Sequence, residues 1–152
     1  MTPPEASGPR SKSLFATVYR DPSLSPSAGA DSGPGRVSEE EGKFVLLTKL
    51  KGIHLVLSPV SLTPYHANIV YQYLQVEGRG DVEAVSSSGC RILSKGWRVH
   101  GGGYYTMQHW LHNLILHGKS TAFGKYDLKR LSGLTEKIPE ALGLGGYTVE
   151  FR

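Results

Sequence analysis

The composition of this 152-residue chain changes abruptly near residue 42, and that break limits what part of it can fold. Six of the nine prolines lie in residues 1–42, together with eight serines and five glycines. A segment of this kind cannot bury enough apolar surface to offset the entropy lost on ordering it. Residues 1–42 therefore read as a disordered Pro/Ser/Gly-rich tail. Its one apolar stretch, Leu14 to Tyr19, could add a strand or meet a partner, although short runs of this type more often stay mobile. Sustained apolar patterning lies in residues 43–152, a length suited to a single domain.

Within that domain, Phe44-Val45-Leu46-Leu47 and Ile53-His54-Leu55-Val56-Leu57 are branched apolar runs separated by Lys51-Gly52, and they read as two strands. Thr63-Pro64 supplies an N-cap and a proline for the first helical position. Tyr65, Ile69, Tyr73 and Val76 then recur at helical spacing, which predicts a helix over about 64–77. Val82–Val85, Arg91–Leu93 and Trp97–Val99 read as weaker strands, with a turn at Gly101-Gly102-Gly103. Tyr104–Trp110 and Asn113–His117 form a candidate hairpin. Leu128, Leu131, Leu134 and Ile138 mark a helix within 125–142, and Tyr147–Phe151 alternates as a last strand. The expected fold class is α/β (α+β): one domain with a mixed β-sheet flanked by helices.

Charge is unevenly placed. The tail holds 4 basic and 6 acidic residues, and residues 43–152 hold 13 basic and 7 acidic, so the domain carries about +6. Such a surface attracts phosphorylated ligands or nucleic acid, but a mildly basic solvated surface has the same composition. Trp97, Tyr104, Tyr105 and Trp110 are expected to serve packing rather than base stacking, so nucleic acid is not the expected partner. A single cysteine, Cys90, allows no intrachain disulfide and too few thiolates for structural zinc, which points to a reducing, cytoplasmic setting. There is no run of about 18 apolar residues and no basic, apolar leader, so no membrane association is expected.

Two features could carry chemistry. Gly118-Lys119-Ser120-Thr121-Ala122-Phe123-Gly124-Lys125 lies between a strand and a helix, where backbone N–H groups and a helix N-terminus can surround an anion. It is not a Walker A loop, because five residues separate the glycines and Tyr126 follows the lysine; nor is it a nucleophile elbow, which would close on a glycine at position 122. Of the six histidines, His109 and His112 have the spacing of a helix turn in a segment that reads as strand, have no carboxylate close by in sequence, and fit a metal site poorly. His66 differs because it falls in the first turn of a helix, where the positive end of the dipole disfavours imidazolium. A neutral His66 could act as base or nucleophile.

Taken in order, Lys43-Phe44-Val45-Leu46-Leu47, Tyr65-His66-Ala67-Asn68-Ile69, Gly118–Lys125 and Tyr147-Thr148-Val149-Glu150-Phe151 resemble the janus/ocnus family, which includes the phosphohistidine phosphatases. The resemblance spans residues 43–151, and its motifs are specific in combination and weak singly. It implies a phosphohistidine-phosphatase-like domain at 43–152 and a protein histidine phosphatase, a hydrolase that needs neither metal nor other cofactor. His66 would be its catalytic residue, acting as general base on water or as the phosphoryl acceptor. Lys43 would pair with phosphate oxygens, and Ser120, Thr121 and Ala122 would offer backbone amides to the transition state. The partner implied is a phosphorylated protein carrying phosphohistidine, met by a monomer.

The chain departs from the family pattern at two places. The family's Gly-Gly-Gly-Arg-Ile stretch brings an arginine toward phosphate, and two registers compete for it here. Aligning Gly101-Gly102-Gly103 needs no gap but puts Tyr104 in the arginine's position. Aligning Gly96-Trp97-Arg98-Val99 needs a one-residue insertion and keeps Arg98 as the phosphate-binding arginine, which dianion binding favours; this register is preferred. A second family arginine, about eight residues before the histidine, is replaced by Ser58. The missing arginine and the proline-rich tail motivate an alternative: a catalytically inactive relative that binds a phosphoprotein or a larger complex.

Overall fold

Phe44-Val45-Leu46-Leu47 are all fully buried, and a strand is apolar at every position only when both of its faces are covered. A computed structural model of the protein, describing residues 13–21 and 39–152, shows how that cover is built. The strands are β1 (Ser13–Val18), β2 (Glu39–Lys49), β3 (Gly52–Ser58), β4 (Val82–Ser86), β5 (Gly89–Ile92), β6 (Arg98–Gln108), β7 (Asn113–His117) and β8 (Thr148–Phe151). The helices are α1 (His66–Val70), extended by a π-helical turn over Tyr71–Val76, α2 (Leu128–Leu131) and α3 (Lys137–Ala141). Six strands form one curled mixed sheet in the order β1-β3-β2-β6-β7-β8, and β4 and β5 form a separate hairpin. The end pairs β1/β3 and β7/β8 are parallel, and the pairs between them are antiparallel.

Strand alternation sorts the core into two clusters. Phe44 and Leu46 point to the face covered by α2 and α3, where they pack with Tyr105, Met107, Leu116 and Ile138. Val45 and Leu47 point to the opposite face, under Ile69, Val70, Tyr73 and Leu74 of α1 and its π-helical turn. The domain is thus a small mixed α/β unit with few helices.

Several sequence expectations need correction. Ser13–Val18, assigned to the disordered tail, forms the edge strand β1; Leu14, Ala16 and Val18 pack against the α2/α3-side core. Arg20 just beyond it binds both oxygens of Glu40, at 2.7 and 2.6 Å. β2 accordingly starts at Glu39, ahead of residue 43, and the remainder of the tail lies outside the described residues. The helix predicted over 64–77 begins at His66. Tyr65 is its extended N-cap, its N–H bonded to Asn68 Oδ1 at 2.9 Å, while Thr63 bonds to Ser58 instead. The helix predicted within 125–142 is split into α2 and α3, with Gly133 between them at φ +86°.

The glycine triplet is not a turn. β6 continues through it, with an irregularity in its pairing opposite Val45–Leu47, because other backbones lie too close for side chains there. A Cβ on Gly102 would sit 2.4 Å from the Phe44 carbonyl oxygen and 3.0 Å from His66 Cδ2. Gly101, at φ +97°, lies under Lys125, whose carbonyl oxygen would be 2.2 Å from an added Cβ. The triplet therefore lets α1 and the segment after Gly124 close on the middle of the sheet.

Candidate active site

The approach allowed by Gly102 places His66 against β6. Its Nε2 lies 2.8 Å from the Gly103 carbonyl oxygen, which can only accept, so Nε2 carries the proton and Nδ1 is left as the lone-pair nitrogen of the neutral ring. Tyr104 meets the ring edge-on, with centroids 5.7 Å apart. Burial holds the His66 pKa below the ordinary imidazole value and the Lys43 charge pushes the same way, while the bond to Gly103 opposes both. His66 as a whole is only 5% exposed, and it borders a cavity.

That cavity, of about 350 Å³, is lined by Lys43, Tyr65, His66, Ser88, Tyr104, Thr121 and Ala122. Four of the residues singled out from sequence, Lys43, His66, Thr121 and Ala122, are thus brought together from β2, α1 and the 118–124 loop. Lys43 Nζ donates to the Pro64 carbonyl oxygen at 2.6 Å and stands 5.5 and 5.8 Å from the ring centroids of Tyr65 and Tyr104. Its ammonium is held at the cavity wall with donors to spare.

The loop reaches the cavity in a different way from the one expected. It does not run into a helix N-terminus, since α2 starts only at Leu128. Instead Ser120 and Gly124 exchange backbone hydrogen bonds at 3.1 and 2.8 Å, closing a tight turn, and Ser120 Oγ accepts the Phe123 N–H at 3.0 Å. Ser120 is 2% exposed and its N–H is occupied by Gly124, so it positions the loop and offers no amide to a ligand. Thr121 and Ala122, at the tip, make no backbone N–H hydrogen bond among the described residues. Both residues border the cavity.

Arg98 does not join this group. It opens β6 opposite Thr48, five residues along the strand from Gly103, and the cavity is lined by Tyr104 in its place. Ser88 was missed because nothing local marks it. It enters through a tertiary tie, Asn68 Nδ2 donating to the Ser87 carbonyl oxygen at 3.2 Å, which holds the β4–β5 turn against α1. Tyr65 could have been found from its place beside His66.

No model of a known protein family matches this chain, nor does any curated protein. Among the described residues no group of three or more His, Cys, Asp or Glu side chains is placed to hold a metal ion, and no helix is long and apolar enough to cross a membrane. The cavity wall thus brings together a neutral imidazole, an ammonium and two loop residues whose N–H groups have no partner among the described residues. Such a set can bind a tetrahedral anion and exchange a proton or a phosphoryl group with it.

Proposed function

We propose that the protein is a phosphatase of the phosphohistidine-phosphatase type, related to the janus/ocnus family, that hydrolyses the P–N bond of phosphohistidine in proteins or of small phosphoramidates. The observation that carries this reading is the shared cavity of Lys43, His66, Thr121 and Ala122. In it, the Thr121 and Ala122 amides and the Lys43 ammonium hold the phosphoryl oxygens and stabilise charge as the P–N bond breaks. His66 Nδ1 either takes a proton from the attacking water or attacks phosphorus itself, and the Gly103 carbonyl steadies the imidazolium that results. None of these roles calls for a metal. The test is phosphate release from a phosphohistidine peptide: His66→Ala should lower kcat by roughly 10²–10⁴-fold. Wild-type rates in that variant would refute the assignment.

One observation favours a second reading. With Tyr104 rather than a guanidinium on the cavity wall, dianion binding rests on one lysine and two amides. A phosphoprotein-binding module without turnover would look the same. Binding of a phosphohistidine peptide with no phosphate release by the wild-type protein would select it.

A further inference from the structure

The phosphoryl cavity does not stop at Tyr104. A second cavity of about 250 Å³ shares Lys43 and Tyr104 with it and continues past Glu41, Val60, Thr106 and His117. Strand register explains the continuity. Lys43, Tyr104 and His117 are direct neighbours across β2, β6 and β7, and Glu41 and Thr106 form the next row on the same face, about 7 Å away. It is the face that carries α1, whose first residue, His66, meets Tyr104. Tyr104 is 37% exposed, Val60 46%, and Glu41 is exposed as well. An ammonium and a carboxylate therefore stand two residues apart along one strand, bordering one open cavity.

We propose, resting on the phosphatase reading, that this second cavity receives the polypeptide flanking the phosphorylated side chain, and that Glu41 makes it prefer lysine or arginine there over an acidic residue. An extended peptide repeats its side chains on one face every second residue, at the spacing that separates Lys43 from Glu41. With its phosphohistidine at Lys43 and the loop amides, its residue two positions away lies beside Glu41. A basic residue there finds an opposite charge, and an acidic one finds a like charge. The chain carries a net +4, so a surface shaped only to attract phosphate would be basic throughout; a carboxylate at this place discriminates between flanks. Exposed Val60 and Tyr104 provide apolar contact for the peptide between the two charges.

The experiment compares two phosphohistidine peptides, with lysine or with glutamate at both positions two residues from the phosphohistidine, and phosphoramidate, which has no flank. The wild-type protein should favour the lysine peptide in kcat/KM by about 5-fold, mainly through KM, the scale of an exposed ion pair. Glu41→Gln should bring the two peptides near parity and Glu41→Lys should reverse the order. Because the ratio is taken within each protein, any loss of folded material cancels. Equal rates for both peptides in a wild-type protein that turns over phosphoramidate would overturn the subsite alone, as would an unchanged ratio in Glu41→Lys. No turnover of any of the three would overturn the phosphatase reading, and the subsite with it.

Discussion

His54 and His66 begin alike and end in different chemistry. Both sit on the α1 side of the sheet, both border a cavity, and burial depresses the pKa of both, that of His54 to about 4. The His54 ring, however, is stacked on Phe15 at 4.6 Å, met edge-on by Trp97 at 4.7 Å, and has Nδ1 2.6 Å from the Tyr73 hydroxyl. It belongs to the packing that fixes β1 on β3. His66 spends one nitrogen on a carbonyl and stands in a cavity with an ammonium and the loop residues Thr121 and Ala122. A displaced pKa alone does not mark a site; the groups converging on the histidine do.

The contrast breaks most easily on turnover. His66→Gln should lower phosphate release by roughly 10²–10⁴-fold, whereas His54→Gln should leave kcat/KM of the folded protein within about 2-fold, since packing rather than chemistry is lost. Comparable losses in the two variants would remove the distinction. Next in size are the glycines that let each ring approach. Gly102→Ala forces a Cβ against the backbone of β2 and should cost about 3 kcal/mol in urea unfolding. Gly52→Ala meets the His54 and Phe15 rings at 3.1 and 3.2 Å and the Lys49 carbonyl oxygen at 3.3 Å, contacts much less close than those at Gly102, and should cost about 1 kcal/mol. A reversed order would show that β2 and α1 pack loosely against β6 at Gly102.

The same two regions show what the sequence discloses. β2, β3, β7 and β8 were legible because their apolar runs are local signals, and His66 was legible from helix position and motif. The Leu14–Tyr19 run looked unable to repay its ordering entropy because its return comes from β3 and from α3, far along the chain. Gly101–Gly103 read as a turn because three glycines carry no record of the backbones that press on them. Charge favours Arg98 over Tyr104, but strand register puts Tyr104 at the cavity. Ser120 was given a donor's role because a loop motif does not say which amides its own turn consumes.

Acid should sharpen the comparison on the stability side. A folded-state pKa below the unfolded value near 6.5 means that neutral His54 contributes fully above that pH. The contribution declines as pH falls toward about 4 and changes little below it. The wild-type protein should therefore lose about 2 kcal/mol more than His54→Gln across this window, after discounting for partial exposure. Parallel pH–stability curves for the two proteins would contradict the buried, neutral His54.

The smallest effect concerns what tunes His66. If its neutral form is the reactive one, the acid limb of kcat/KM should lie below the ordinary imidazole range, since burial and Lys43 both disfavour the proton. Removing the cation in Lys43→Met should move that limb upward, because a nearby positive charge lowers an imidazole pKa and its loss lets the proton bind more readily. The same change should weaken KM by roughly 10-fold through the lost phosphate contact. Lys49→Met, which relieves the corresponding charge near His54, should leave the limb in place. A limb that moved with Lys49 and not with Lys43 would assign the titrating base to His54 and reverse the comparison.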